Sequence, residues 1–154
     1  MVSVGDIAPD FEATTDTGAS VRLSDFLGKK VVLFFYPFNY LPGCYAEACS
    51  FRDAVPSVSA RNAVILGVSG NSARAQAHWK SRLNLPFTLL SDSTGKIRDM
   101  YGVRGRFRIG RIEFLGKARS TIVIDENRRV MAAYYGVFGI QSDQYIGQIL
   151  RHLA

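Results

Sequence analysis

The sequence predicts an α/β fold in which a central sheet carries helices on both faces. Apolar runs rich in β-branched and aromatic residues alternate with segments of helical composition, which is typical of this class. The runs Val31–Tyr36 and Ala63–Ser69 are continuous, which indicates strands buried on both faces. The chain has 154 residues, 47% of them hydrophobic and 21% charged. We therefore expect a single domain over residues 1–154.

The composition excludes a disordered tail, a collagen-like fibre and a disulfide-dense small scaffold. The longest apolar runs are far shorter than the roughly 20 residues of a membrane-spanning helix. The first residues, Met1-Val-Ser-Val-Gly-Asp, contain neither the charged nor the apolar region of a secretory signal. We expect a cytoplasmic protein that does not contact a membrane.

The elements of the first half follow from local signals. Residues 11–23 predict two short strands around a turn at Asp16-Thr-Gly. Pro37 ends the strand over Val31–Tyr36. The next helix is predicted over Cys44–Val55, and Pro56 should stop or kink it.

The second half continues the alternation. Ser72 is a suitable cap for a helix that runs to Leu83. The remaining predicted elements are a strand over Phe87–Leu90, a short helix over Lys96–Tyr101, strands over Thr121–Ile124 and Arg129–Tyr135 around a turn at Asp125-Glu-Asn, and a closing helix from Ser142 to Leu153.

Cys44 is predicted in the first turn of a helix that follows a buried strand. Unpaired backbone N–H groups and the positive end of the helix dipole favour a thiolate there, and the thiolate is the reactive form. Pro42 fits this turn because its missing N–H would be unpaired anyway. Gly43 leaves space for a small ligand to reach the sulfur.

Cys49 lies five residues after Cys44. In an intact helix this spacing separates the Cα atoms by ~8.7 Å, whereas a disulfide needs about 4.4–6.8 Å. A Cys44–Cys49 bond therefore requires part of the helix to unwind. Two alternatives stay open: Cys49 as a buried small hydrophobe, and the pair as zinc ligands. His78 and His152 lack zinc-ligand spacing and are expected on the surface, so we expect neither a metal nor an organic cofactor.

The segment Phe34–Asp53 resembles the active-site segment of the peroxiredoxins, specifically the peroxiredoxin Q or bacterioferritin comigratory protein group. The pattern of that group is approximately F-Y-P-x-x-x-T-P-G-C-T-x-E-x-C-x-F-R-D. The matching positions here are Pro37, Pro42, Gly43, Cys44, Glu47, Cys49, Phe51, Arg52 and Asp53. Further similarity covers Gly5-Asp-Ile-Ala-Pro-Asp-Phe, Gly67-Val-Ser, Leu85-Pro-Phe-Thr-Leu-Leu-Ser-Asp and Arg119-Ser-Thr-Ile-Val-Ile-Asp.

The resemblance implies a thioredoxin-like fold, with a central mixed sheet flanked by helices, and a thiol-dependent peroxidase of the atypical two-cysteine type. By family role, Cys44 would be the peroxidatic cysteine that reduces hydrogen peroxide or an organic hydroperoxide and becomes a sulfenic acid. Cys49 would be the resolving cysteine that converts the sulfenic acid into an intramolecular disulfide. Thioredoxin or a similar dithiol donor would then reduce that disulfide.

The resemblance also implies further site residues. Arg119 matches an active-site arginine that would stabilise the thiolate and orient the peroxide, the alternative being a surface arginine before a strand. Glu47 shares a helix face with Cys44, and it either holds an arginine or is simply solvated. The peroxide pocket would be lined by Pro37, Leu41, Pro42, Gly43 and Glu47.

Leu41 departs from the pattern, which has threonine at this position. A threonine hydroxyl would hydrogen-bond the peroxide, and the loss of one such bond costs about 2–4 kcal/mol at a reacting centre. The chain is then either a slow peroxidase or one in which another hydroxyl compensates, with Tyr40 and Tyr45 as neighbours that could supply it.

A different class of function is suggested by charge. The formal net charge is +6, and Arg104–Arg111 alternates basic with apolar or small residues, which suits an exposed hairpin or loop. Such a stripe could contact a partner or nucleic acid, although a solvated loop at the mouth of the active site is the favoured interpretation. A redox sensor that uses the same cysteines is a third alternative. Members of the group are often monomers, and dimers are known across peroxiredoxins.

Overall fold

Strands and helices alternate through most of the chain. The computed structural model describes residues 1–36, 42–103, 106–109, 112–115, 119–135 and 142–154. The strands are β1 (Glu12–Thr15), β2 (Ser20–Arg22), β3 (Lys30–Phe35), β4 (Ala63–Ser69), β5 (Thr88–Ser91), β6 (Arg106–Ile109), β7 (Ile112–Leu115), β8 (Ser120–Ile124) and β9 (Val130–Tyr134). The helices are α1 (Pro42–Ser59), α2 (Ala73–Leu83), α3 (Lys96–Met100) and α4 (Ser142–Leu153), with a 3-10 turn at Leu23–Phe26.

Seven of these strands form one mixed sheet in the order β2-β1-β5-β4-β3-β8-β9. The central strands β3, β4 and β5 are parallel, whereas β8 runs antiparallel to β3 and β1 antiparallel to β5. Strands β6 and β7 pair antiparallel outside this sheet. The predicted α/β class with a central mixed sheet is confirmed.

Each face of the sheet is covered by a separate hydrophobic core. Phe34 and Tyr36 point toward α1, α2 and α4, where they meet buried side chains such as Phe51 and Trp79. Leu33 and Phe35 alternate onto the opposite face, which packs against α3 and the N-terminal segment. The alternation is the period-2 geometry of a strand, and it confirms the prediction of helices on both faces.

Helix α1 differs from the prediction at both ends. It begins at Pro42 and continues through Pro56 to Ser59. Of the two expected effects of Pro56, a stop or a kink, the stop is wrong. Its last turns place Ala54 and Val58 in the core, where Val58 is only 2% exposed. Burial of a side chain of this size stabilises by about 1.5–3 kcal/mol, which offsets much of the cost of a proline inside a helix.

The other elements agree with the prediction to within one or two residues. Ser72 caps α2 as expected, since its Oγ accepts a hydrogen bond from the N–H of Ala75 at 3.1 Å. The antiparallel pairing of β6 with β7 agrees with the hairpin interpretation for Arg106–Ile109. Arg104, Gly105, Gly110 and Arg111 lie outside the described residues. Within the described ranges, no helix is long and apolar enough to span a membrane.

The pairing of β3 with β8 brings two distant parts of the chain together at one edge of the sheet. Phe35, at the end of β3, pairs with Ser120, at the start of β8. Helix α1 follows β3 in sequence, and Arg119 immediately precedes β8. The antiparallel register therefore places Arg119 at the C-terminal end of β3.

Candidate active site

The predicted site residues fall into three groups. Pro37 and Leu41 lie outside the described residues. Pro42, Gly43 and Cys44 are the first three residues of helix α1. Glu47, Cys49 and Arg119 have described side chains, and two of these three are in direct contact.

Both cysteines belong to one continuous helix. Cys44 is in the first turn of α1, where the N-terminal end of the dipole favours an anion. Cys49 follows in the same helix, carries a free thiol and is partly buried. Because α1 is intact between them, the helical geometry keeps these residues too far apart for a disulfide. A Cys44–Cys49 disulfide would therefore require part of the observed helix α1 to unwind, as the sequence predicts.

Glu47 forms a buried ion pair with Arg119. The Nη1 of Arg119 donates to Oε2 of Glu47 at 2.9 Å, and the Glu47 residue is only 4% exposed. Of the two interpretations left open by the sequence, the solvated one is wrong for Glu47. The surface interpretation is likewise wrong for Arg119, whose side chain is 18% exposed. The pair links helix α1 to the start of β8.

Burial raises the pKa of Glu47 from its ordinary value of 4.5 to about 7, although the neighbouring Arg119 charge and hydrogen bond lower it. Desolvation disfavours the charged form of a carboxyl group, and one guanidinium compensates only in part. Among the described residues, the buried Oε1 of Glu47 has no hydrogen-bond partner, which agrees with the incomplete compensation. The carboxyl group therefore changes its charge near neutral pH.

Comparison with known proteins identifies the family. The AhpC/TSA family model matches residues 4–133. The chain belongs to this family.

Relatives place it among the peroxiredoxins. Peroxiredoxin Bcp of Bacillus subtilis is 41% identical over 131 residues, which are 84% of this chain and 83% of the relative. Peroxiredoxin Q, chloroplastic, of Oryza sativa subsp. japonica is 38% identical over 152 residues, which are 99% of this chain and 67% of the relative. The crystal structure of peroxidoxin BcpB from Mycobacterium tuberculosis has a TM-score of 0.86 and 33% identity, and the match covers 99% of this chain and 97% of that one. The resemblance to the peroxiredoxin Q and Bcp group is confirmed, as are the thioredoxin-like fold and the thiol peroxidase activity.

Two buried polar residues of this peroxiredoxin to which the sequence does not point are Thr121 and Tyr145. Thr121 follows Arg119 by two positions in the chain and is fully buried. Tyr145, on α4, is 3% exposed, and burial raises its pKa well above the usual range. Side chains alternate between the two faces of a strand, so Thr121, two residues after Arg119, points to the same side as Arg119. This alternation is the sequence signal that points to Thr121. Tyr145 could not have been found in this way, because its position depends on the packing of α4.

A buried hydrogen-bond network supports the end of β3, directly before the segment that leads to the cysteines. The Tyr36 hydroxyl donates to Oε1 of Gln76 at 2.6 Å. The Nε2 of Gln76 donates to Ser69 Oγ and to the Leu90 carbonyl at 2.9 and 3.0 Å. This network ties β3, β4 and β5 together through α2.

The histidines are placed as the sequence predicts, since His78 and His152 are both exposed. In the part of the chain that the structure describes, no group of three or more His, Cys, Asp or Glu side chains could hold a metal ion.

Proposed function

We propose that this peroxiredoxin reduces hydrogen peroxide and organic hydroperoxides with Cys44 as the peroxidatic cysteine and Cys49 as the resolving cysteine. The observation that supports this most strongly is the Glu47–Arg119 ion pair. Glu47 is three residues after Cys44, on the same face of α1. An arginine held by Glu47 is thus directed to the end of the helix at which Cys44 lies.

In the first step the Cys44 thiolate attacks one oxygen of the peroxide. An S–O bond forms, the O–O bond breaks, and the departing oxygen leaves as hydroxide or alkoxide and takes up a proton. Sulfur is oxidised to a sulfenic acid and the peroxide is reduced to water or alcohol. Arg119 contributes charge-assisted hydrogen bonds that favour the thiolate and align the peroxide oxygens. Pro37, Leu41, Pro42 and Gly43 line the pocket in this proposal.

In the second step the Cys49 thiolate attacks the sulfenic sulfur. The S–S bond forms, the S–O bond breaks, and the hydroxide that leaves takes up a proton to become water. The first turns of α1 must unwind for this step. A thioredoxin-type dithiol then reduces the disulfide by thiol–disulfide exchange, and the helix can reform.

The cycle needs no second subunit, since both thiols belong to one helix of one thioredoxin-like domain spanning residues 1–154. We propose a cytoplasmic location, because this chemistry depends on a compartment that keeps dithiol donors reduced.

The test is intact-mass spectrometry of the reduced protein after addition of one equivalent of hydrogen peroxide, followed over time. We expect a loss of two hydrogens that maps to a Cys44–Cys49 bridge. Cys44→Ser should abolish it, whereas Cys49→Ser should stop the reaction at a gain of one oxygen on Cys44. Both variants replace one sulfur of the proposed Cys44–Cys49 disulfide by oxygen. Each variant is therefore the matched control for the other.

Two results would overturn the proposal. Thiols that stay reduced in the wild type would exclude the peroxidase assignment of these cysteines. Oxygen gained first on Cys49, with Cys44→Ser still reactive, would reverse the two roles.

A further inference from the structure

Gln76 is a polar residue of α2 that is completely buried, with 0% of its surface exposed. Its Oε1 accepts a hydrogen bond from the Tyr36 hydroxyl at 2.6 Å. Its Nε2 donates to Ser69 Oγ at 2.9 Å and to the Leu90 carbonyl at 3.0 Å. Apolar side chains of the same shape on both partners would stabilise the core about as well, so the buried amide needs an explanation beyond packing.

The three partners of Gln76 lie at one edge of the sheet. Tyr36 directly follows β3, Ser69 is the last residue of β4, and Leu90 is the last but one of β5. Because these three strands are parallel, their carboxyl ends share an edge. It is the edge at which β3 leads toward α1 and the cysteines. A fully paired buried network of this kind specifies one geometry for the groups that it joins.

Tyr36 is held by its backbone, its ring and its hydroxyl. Its N–H donates to the Val68 carbonyl at 3.1 Å. Its ring packs on those of Phe34 and Trp79, with centroid distances of 5.5 and 5.0 Å. Ring packing tolerates centroid distances of about 4.5–7 Å, whereas a hydrogen bond constrains both distance and angle. The contact with Gln76 therefore sets the position of the Tyr36 side chain.

Two parts of the proposed site are built on the end of β3. Phe35 pairs with the residue that follows Arg119. The Phe34 ring, which packs on Tyr36, also stacks on Phe51 of α1 with centroids 4.4 Å apart. Both cysteines lie in the chain between these two contacts of Phe34. The end of β3 therefore sets the relative position of Arg119 and of the helix that carries the thiols.

We propose that Gln76 is a positioning residue for the reaction of Cys44 with peroxide, which acts through the Tyr36 hydroxyl by fixing the end of β3. Alignment matters for this step because a displacement of about 1 Å can lower the rate of a reaction by roughly a hundredfold. Disulfide formation needs α1 to unwind and does not depend on the same alignment. The inference rests on the proposed roles of Cys44 and Arg119.

The experiment measures the two steps separately on the reduced full-length protein. Hydrogen peroxide is added, the reaction is quenched rapidly with a thiol-blocking reagent, and the products are counted by intact-mass spectrometry. The loss of reduced protein at increasing peroxide concentration gives the rate constant of Cys44 oxidation. Where that step no longer limits, the appearance of protein that has lost two hydrogens gives the rate constant of disulfide formation. Gln76→Leu should lower the first rate constant roughly five- to tenfold and should not lower the second.

Matched variants separate positioning from stability. Tyr36→Phe removes only the hydroxyl and should lower the rate constant of Cys44 oxidation as Gln76→Leu does. Gln76→Leu added to Tyr36→Phe should change that rate constant by less than about twofold, because both substitutions remove the same hydrogen bond. Leu83→Ala is the control for a destabilised core, since Leu83 is a buried residue at the other end of α2. It should leave both rate constants within about twofold of the wild type.

Three results would overturn the inference. The first is equal slowing of the two steps in Gln76→Leu, and the second is a pair of rate constants that match those of Leu83→Ala. The third is an effect of Gln76→Leu that persists undiminished in Tyr36→Phe. If Gln76→Leu does not fold, Tyr36→Phe decides the question by the same two rate constants.

The outcome in the wild type separates this inference from the proposed function. Wild-type thiols that stay reduced would overturn the proposed function, and this inference with it. A wild type that forms the disulfide, together with a Gln76→Leu variant that oxidises at the same rate, would overturn only the positioning role of Gln76.

Discussion

The stability of the reduced protein should depend on pH through Glu47. Its pKa is about 7 in the folded protein and has the ordinary value of 4.5 when the chain is unfolded. A carboxyl group whose folded pKa is raised contributes stability that is fully present below pH 4.5. That contribution is lost as the pH rises through about 7, because the folded state must then hold a buried charge. Between pH 5 and pH 8, linkage between these two pKa values removes roughly 2–3 kcal/mol of the free energy of unfolding.

Urea denaturation in the presence of a thiol reductant, repeated between pH 5 and pH 8, measures this free energy. Other groups titrate in the same range, so the quantity to follow is the difference between wild type and Glu47→Gln, in which the amide cannot ionise. This difference should change by roughly 2–3 kcal/mol, and the wild type should be favoured at the acidic end. Glu12→Gln is the matched control, since it makes the same replacement at a glutamate whose side chain is 58% exposed.

A difference that stays constant from pH 5 to pH 8 would refute the reasoning. It would mean that Arg119 fully compensates the burial of Glu47 and that the carboxyl group is ionised throughout this range. The m value, the slope of the free energy of unfolding against urea concentration, must be the same in the two proteins. A changed m value would indicate a change in the compactness of the unfolded or the native state.

Three further substitutions test other parts of the site and its support. Leu41→Thr restores the hydroxyl of the family pattern. It should raise the rate of Cys44 oxidation at least tenfold, which corresponds to ~1.4 kcal/mol. Stopped-flow kinetics that show no gain would indicate that another group already supplies this hydrogen bond. Gln76→Leu should cost about 2–4 kcal/mol in urea denaturation, because the Tyr36 hydroxyl loses this acceptor inside the core, and an unchanged midpoint would contradict the network. Gly67→Ala would place a Cβ 2.7 Å from Cδ2 of Leu89, so a thermal melt should show a loss of about 1–3 kcal/mol instead of the gain usual for a glycine replaced by alanine.

The sheet could be predicted from local sequence because its central strands are continuous apolar runs. Such runs are stable only where both faces of the strand are buried. The end of α1 could not be predicted in this way. Pro56 disfavours the helix locally, whereas the reason for the helix to continue, the burial of Val58, exists only once the sheet is in place. Local propensity and tertiary packing opposed each other here, and packing decided the outcome.

The candidate site shows the same division. The need for α1 to unwind before a Cys44–Cys49 disulfide forms can be predicted, because both residues belong to one helix. Arg119 is indicated only by the resemblance to the family. Whether Glu47 was solvated or paired was open, since its partner is distant in sequence. Tyr145 was missed because no periodicity in α4 distinguishes a buried tyrosine near an ion pair from one in an ordinary core.

The distance along the chain between Glu47 and Arg119 has a consequence for the newly made protein. The two residues are 72 positions apart in sequence, and contacts of such separation form slowly because a long loop must be closed. Synthesis proceeds from the N-terminus, so helix α1 with both thiols leaves the ribosome well before Arg119 is translated. Until β8 pairs with β3, Cys44 lacks the guanidinium that the proposed mechanism assigns to Arg119. An unfinished or truncated chain thus carries two cysteines without the arginine, and under the proposed mechanism these cysteines react with peroxide only as ordinary thiols do.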